Sequence, residues 1–242
     1  MTVSITPVEG LPEIREDDDL AALIAERAAF VDGDVLVVAQ KVVSKAEGRV
    51  VRLADVEPSE DATSIAAGSD PRQLEVILRE TARIVRVRPP LVIAETRHGF
   101  VCASAGVDAS NAPEPGTVVL LPEDPDASAA RLRDRLRELT GAEIGVIVSD
   151  SFGRAWRQGT TDVAIGVAGI EPLLDLKGVR DSTGYELHAT VIAVADELAG
   201  AAELVMGKTD GVPAAVISGV TVRSSEGSAR ELVMPPDRDL FR

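Results

Sequence analysis

The chain has 242 residues, enough for one large domain or two small lobes, and 45% hydrophobic content can supply a sizeable core, which excludes a disordered segment. Its 25 Lys and Arg against 40 Asp and Glu leave a net charge of −15, which argues against nucleic acid as a partner while leaving room for a local cationic pocket. The single cysteine, Cys102, excludes an intrachain disulfide framework and any Cys-rich metal centre, and points to a reducing, cytoplasmic compartment.

The N-terminus, MTVSITPVEGLPEI, lacks a basic patch followed by an apolar run, so it does not read as a secretory signal. Charges or glycines interrupt every apolar segment before it reaches about 18 residues, so a soluble chain with no membrane partner is expected. Residues 19–30 carry apolar side chains at near-helical spacing, and 35–39 (VLVVA) form a short buried-strand candidate. Residues 40–51 mix a polar segment with a return to strand-like residues. The segment 70–87 reads as one helix, capped by Asp70 with Pro71 at its first position and stopped by Pro89-Pro90. A hairpin follows over 91–106 with Arg97, His98 and Gly99 in its turn, and then a loop holding Asp108 and Asn111. GTVVLLP is a strand candidate, and 124–141 is the cleanest helix, running from an Asp cap to Gly141. Residues 143–159 read as a buried strand that ends in Ser149, Asp150 and Ser151 and opens into a polar loop. The segment 189–207 (ATVIAVADELAGAAELVMG) is expected to be helical.

Strands and helices alternate without even βαβ spacing, and no GxGxxG follows the first strand. The expected class is therefore α+β rather than Rossmann. Gly207-Lys208-Thr209 is not a P-loop, since the residue five positions before Gly207 is Ala202 and the preceding segment reads as helix. The turn either offers amide groups and a cation to phosphate or merely ends a helix. Asp108 and Asp150 either hold a hard divalent cation, with a neighbouring oxygen such as Ser151, or serve Asx turns and caps. Lys41 and Lys45, and Arg154 and Arg157, are cations that a phosphate-rich substrate would need, or else salt-bridge partners. Trp156 reads as a loop-packing residue, Cys102 as a buried small hydrophobe, and His98 and His188 sit in no metal-ligand pattern.

The joint order of GLPEI (10–14), GDVLVVAQKVVSKAEGR (33–49), HGFVCASAGVDASN (98–111), VSDSFGRAWRQG (148–159) and ELVMGKTDGVP (203–213) resembles the coenzyme F420-0:L-glutamate ligase family. The resemblance implies a two-lobed α+β architecture in an intertwined homodimer, and GTP-dependent addition of L-glutamate to F420-0 through an acyl phosphate, with further γ-linked glutamates following. By resemblance, Leu11, Pro12, Glu13, Ile14, Gln40, Lys45 and Asn111 would line the nucleotide pocket. Val205, Met206, Gly207, Lys208, Thr209, Asp210, Gly211 and Val212 would surround the nucleotide. Asp108, Asp150 and Ser151 would hold two divalent ions, Mg²⁺ or Mn²⁺, and a monovalent cation such as K⁺ could join them. Ser151 stands where many members carry threonine, and the remaining ligand of the second metal has no secure match. Lys45, Arg154 and Arg157 are the candidate catalytic cations. A single domain over 1–242 is expected, with a middle lobe inserted from near 89 to near 207 and no C-terminal flavin reductase domain. The competing readings are a non-catalytic nucleotide or F420-binding module and a metal-dependent phosphohydrolase.

Overall fold

The computed structural model describes residues 2–240. The first half runs β1 (Ser4–Pro7), α1 (Leu20–Ala25), β2 (Val35–Ala39), α2 (Gln40–Ala46), β3 (Val50–Arg52), α3 (Glu60–Ala66), α4 (Pro71–Glu80), β4 (Thr81–Arg88), β5 (Leu91–Thr96), β6 (Val101–Ala103) and β7 (Thr117–Val119). The second half runs α5 (Pro125–Thr140), β8 (Gly145–Gly153), β9 (Thr160–Ala168), β10 (Leu174–Asp175), β11 (Val191–Ile192), α6 (Val194–Met206) and β12 (Ala214–Ser218). This is the expected mixed α+β architecture, without a doubly wound parallel sheet. Among the described residues no helix is long and apolar enough to cross a membrane.

The largest sheet has the order β1-β12-β2-β8-β9, with β2 and β8 parallel and the other neighbours antiparallel. Val35, Leu36, Val37 and Val38 in β2 are fully buried, the continuous apolar run of a strand covered on both faces. Each such side chain stabilises the fold by about 1.5–3 kcal/mol. Helix α5 starts where Asp124 accepts from the Ala127 amide and stops at Gly141, whose φ of 77° favours glycine. It buries Ala129, Leu132 and Leu136, and comes close to β9 because residue 166 is glycine: a β-carbon there would strike the Pro125 carbonyl. Helix α6 packs Ala195, Leu198, Ala199, Ala202 and Met206 against the same large core.

A second, smaller core draws on Leu53, Val56, Leu74, Ile77, Val92 and Val118, among others, all from residues 53–120. It is enclosed by α3, α4, the β4-β5-β6 sheet and the β3-β7 pair. The packing units therefore change near 50 and 120, whereas the sequence places the limits of a middle lobe near 89 and 207. Strands β8 and β9, inside those latter limits, are part of the large sheet. Pro89-Pro90 instead joins β4 to β5 at the tip of a hairpin.

Three local expectations need correction. The helix expected over 70–87 ends at Glu80, and 81–88 form β4. In TARIVRVR the arginines recur every two to three residues among β-branched neighbours, and the segment finds a partner strand in β5. The polar segment after β2 is helix α2, which buries Val42 and Val43 and begins directly at Gln40. The hairpin at 91–103 and its turn with Gly99 at φ 93° lie as expected, and the helix expected over 189–207 starts only at Val194, because Val191 and Ile192 pair with β10 as β11.

Candidate functional site

Strands β2 and β8 run parallel and finish side by side, with Ala39 paired to Ser149. At that level β2 turns into α2 through Gln40, while β8 continues to Asp150 and Ser151. Polar residues thus leave two adjacent apolar strands at one place, where rigid backbone can position exposed groups. The β8–β9 register shifts after Val148, which sets Ser149 opposite Ala164 and Ser151 opposite Asp162. Asp162, only 6% exposed, accepts from Ser149 Oγ at 2.8 Å and Ser151 Oγ at 2.7 Å. The Asp162 amide donates to Glu203 Oε2 of α6 at 3.0 Å, tying strand to helix.

These residues line a cleft of about 480 Å³ between the ends of β2, β8 and α6 and the segment after β1. Of the residues expected around nucleotide, Leu11, Pro12, Glu13, Ile14, Gln40, Lys45, Asn111, Met206, Gly207, Lys208, Thr209, Gly211 and Val212 are in its wall. Val205 and Asp210 are not. Gly207 ends α6 at φ 60°, and its amide donates to the Glu203 carbonyl at 2.9 Å, so the turn does end a helix while also facing the cleft. Gln40 is 1% exposed and its Oε1 accepts from Ser44 Oγ at 2.9 Å, but among the described residues its Nε2 has no acceptor. A buried amide left with a spare donor fits a site built to receive an acceptor from a ligand. Lys45 is buried, and its Nζ lies 2.5 Å from Glu13 Oε1.

Asp150 and Ser151 line the cleft as expected. Burial pushes the Asp150 carboxyl up to about 7 against the pull of the Ser151 amide; the Asp162 charge adds to the rise, and Lys41 and Lys208 oppose it. Asp108 stands behind the wall, joined to it through Lys41, whose Nζ contacts Asp108 Oδ2 at 2.6 Å and the Ser110 carbonyl and Oγ at 2.8 and 2.6 Å. Burial raises the Asp108 carboxyl, but the Lys41 ammonium and the Ser110 amide outweigh it and hold its pKa below the ordinary value. Asp108 also closes an Asx turn on Ser110, so its turn-forming duty is visible.

Arg154 and Arg157 lie on the β8–β9 turn, outside the cleft wall. Cys102 is buried, and burial first, then the Asp150 charge, pushes its thiol up to about 12, the state of an inert small hydrophobe. His98 stacks on Phe100, and His188 meets Tyr185 edge-on; neither lines the cleft. The sequence reading missed Asp162 and Glu203 as site groups, although an aspartate opening the apolar run of β9 is a signal, since strands disfavour Asp unless it has a task. Lys41 was legible as a cation but not as the partner of Asp108.

Among the described residues no three acidic, histidine or cysteine side chains converge into a ready metal cluster. The oxygens of Asp150 and Ser151, with Asp162 behind them, nevertheless suit a hard divalent cation. Asp150 is a crowded carboxylate short of compensating charge. Mg²⁺ ordinarily takes one or two carboxylates and completes its shell with water and phosphate oxygens.

Residues 10–219 match the family model described as F420-0:Gamma-glutamyl ligase. The chain is similar to the coenzyme F420:L-glutamate ligase of Methanopyrus kandleri, 52% identical across 100% of this chain and 98% of that one. It is also similar to the proteins of the same name from Methanothermobacter thermautotrophicus, at 46% over the whole of both chains, and Archaeoglobus fulgidus, at 46% over 100% of this chain and 97% of that one. With the family match covering both lobes and every wall of the cleft, the chain belongs to the F420-0:γ-glutamyl ligase family.

Proposed function

We propose that this chain is a cytoplasmic ligase that uses GTP to join the amino group of L-glutamate to the carboxylate of coenzyme F420-0, and then adds further γ-linked glutamates. The observation that carries the reading is the cleft, where the turn from Gly207 to Gly211 and the cations Lys45 and Lys208 face the acidic strand ends at Asp150 and Asp162. Relatives named for this activity match the chain end to end.

In the first step a carboxylate oxygen of F420-0 attacks the γ-phosphorus of GTP, and the bond to the bridging oxygen breaks to release GDP. In the second the glutamate amine attacks the acyl carbon, inorganic phosphate departs, and the nitrogen gives up its proton to water. Lys45 and Lys208 offset charge on the phosphates, amides of the Gly207 turn hold phosphate oxygens, and Gln40 Nε2 donates to a nucleotide acceptor. Asp108, Asp150 and Ser151 would hold Mg²⁺ or Mn²⁺, which when bound compensates charge between the carboxylate and phosphate oxygens. K⁺ belongs in the assay as the monovalent cation.

GDP release measured with each substrate omitted in turn tests this reading. Sustained release should require F420-0, glutamate and a divalent ion together, and F420-0 with the ion but no glutamate should give at most one GDP per enzyme. Release without F420-0 and glutamate would mark a phosphohydrolase, and binding without turnover a non-catalytic module. With heavy oxygen in the F420-0 carboxylate, one labelled oxygen should appear in the released phosphate, and unlabelled phosphate would contradict the acyl phosphate.

We also infer a homodimer. Strand β4 is the open edge of its sheet and, with β5, exposes Ile84, Val85, Val87 and Leu91 at 37–45%. Long apolar edges are normally covered. Light scattering should give twice the mass of the 25.4 kDa chain, and a fully active monomer would contradict the inference.

A further inference from the structure

Ser149 and Ser151, two residues apart on β8, both give their hydroxyl protons to one carboxylate, that of Asp162 on β9. Asp162 is 6% exposed, and its amide donates to Glu203 Oε2 at 3.0 Å, so the carboxylate sits on an anchored backbone. A serine hydroxyl has one proton to donate and two lone pairs to offer. With that proton engaged by Asp162 Oδ1 at 2.7 Å, Ser151 Oγ meets any ligand in the cleft only as an acceptor. The same holds for Ser149, whose proton goes to Asp162 Oδ2 at 2.8 Å. A cation of the chain already stands near the free side of Ser151: the Lys208 ammonium approaches its Oγ at 3.5 Å. Phosphate oxygens, which only accept, find no donor in these hydroxyls, whereas a hard cation finds an oriented oxygen.

We propose that Asp162 is a positioning residue that acts through Ser151: it holds the hydroxyl with its lone pairs open to the divalent ion and closes it as a donor to phosphate. Both Asp162 oxygens are taken by hydroxyls, so the carboxylate supports the ligand rather than joining it. Groups that orient a metal ligand in this way commonly change metal affinity by about 10–100-fold. This inference rests on the divalent ion of the ligase reading and adds to it the residue that sets the ion's serine oxygen.

Mn²⁺ uptake with GDP present and no acceptor, read from loss of the free-ion electron paramagnetic resonance signal against a GDP blank, measures affinity without turnover. Asp162→Asn keeps the side-chain shape but has a single accepting oxygen for two hydroxyls. It should weaken Mn²⁺ binding about tenfold, and Ser151→Ala should do the same. Because one residue acts through the other, the double variant should bind within about twofold of Ser151→Ala alone. Ser151→Thr, which keeps the hydroxyl, should retain the parent's affinity. Urea midpoints check that each variant is folded; should asparagine not fold, Asp162→Glu takes its place, keeping the charge but moving the carboxylate. Unchanged Mn²⁺ affinity in the folded Asp162 variant overturns the proposal, and so do losses that multiply in the double variant, since Asp162 would then act by its own charge or as a ligand. An equal loss of GDP affinity in chelator would mark a merely structural effect and overturn it too. All three outcomes leave the ligase reading standing. A parent that takes up no Mn²⁺ overturns the divalent-ion reading and the proposal with it.

Discussion

Asp150→Asn should change how the stability of the metal-free protein depends on pH. In the fold burial lifts the carboxyl to about 7, with the Asp162 charge adding to it; in the unfolded chain it lies near the ordinary value of about 3.9. Between those values the folded state holds a proton that the unfolded state lacks, so stability falls as pH rises, by at most about 1.4 kcal/mol per pH unit. From pH 5 to pH 8 the ceiling is about 3 kcal/mol, and because Asp150 opens onto the water of the cleft we expect roughly 1–2 kcal/mol. Asparagine keeps the shape and removes the titration. Urea unfolding of parent and variant in chelator, at pH 5 and pH 8, isolates the effect, because groups titrating in both proteins cancel in the difference. The parent should lose more stability than the variant on going to pH 8, and Mg²⁺ should restore the parent alone. Parallel pH dependences in the two proteins would refute the reasoning.

Asp162→Ala should cost about 2–3 kcal/mol, read as a lower urea midpoint, because the hydroxyls of Ser149 and Ser151 lose their shared buried acceptor. Lys41→Met should destabilise the protein at pH 7 by about 1–2 kcal/mol by leaving Asp108 without its cation. Since Lys41 holds the Asp108 carboxyl below its ordinary value, that contribution is present above the unfolded pKa and is lost as pH falls through the folded one. The gap between parent and Lys41→Met should therefore narrow as pH falls below the ordinary carboxylate range, and a constant gap would contradict the pairing.

The walls of the cleft were largely legible in the sequence because they come from contiguous motifs: the segment 10–14, the exit from β2, and the turn after α6 each keep their neighbours in space. What the sequence hid was pairing between distant segments. Asp162 becomes a site residue only because a register shift in the β8–β9 ladder sets it opposite Ser151. Lys41 meets Asp108 across 67 positions, which no spacing rule reveals. The helix expected to run to 87 was misjudged for a related reason. No glycine or proline separates residues 81–88 from the helix that Asp70 caps, and it is their β-branched content together with β5, folded back onto them, that makes them a strand. A lobe limit at Pro89-Pro90 rests on a local chain breaker, and the two hydrophobic cores part where β3 and β7 pair, a contact between residues 50–52 and 117–119.

The central claim is that this cleft makes an amide bond. Its most direct test is the mass of the acceptor after incubation of the parent chain with F420-0, L-glutamate, GTP and Mg²⁺. The account predicts an acceptor heavier by one glutamyl residue or a whole number of them, one GDP for each glutamate added, and no change when any one substrate is left out. GDP formed while the mass of F420-0 stays the same would contradict it.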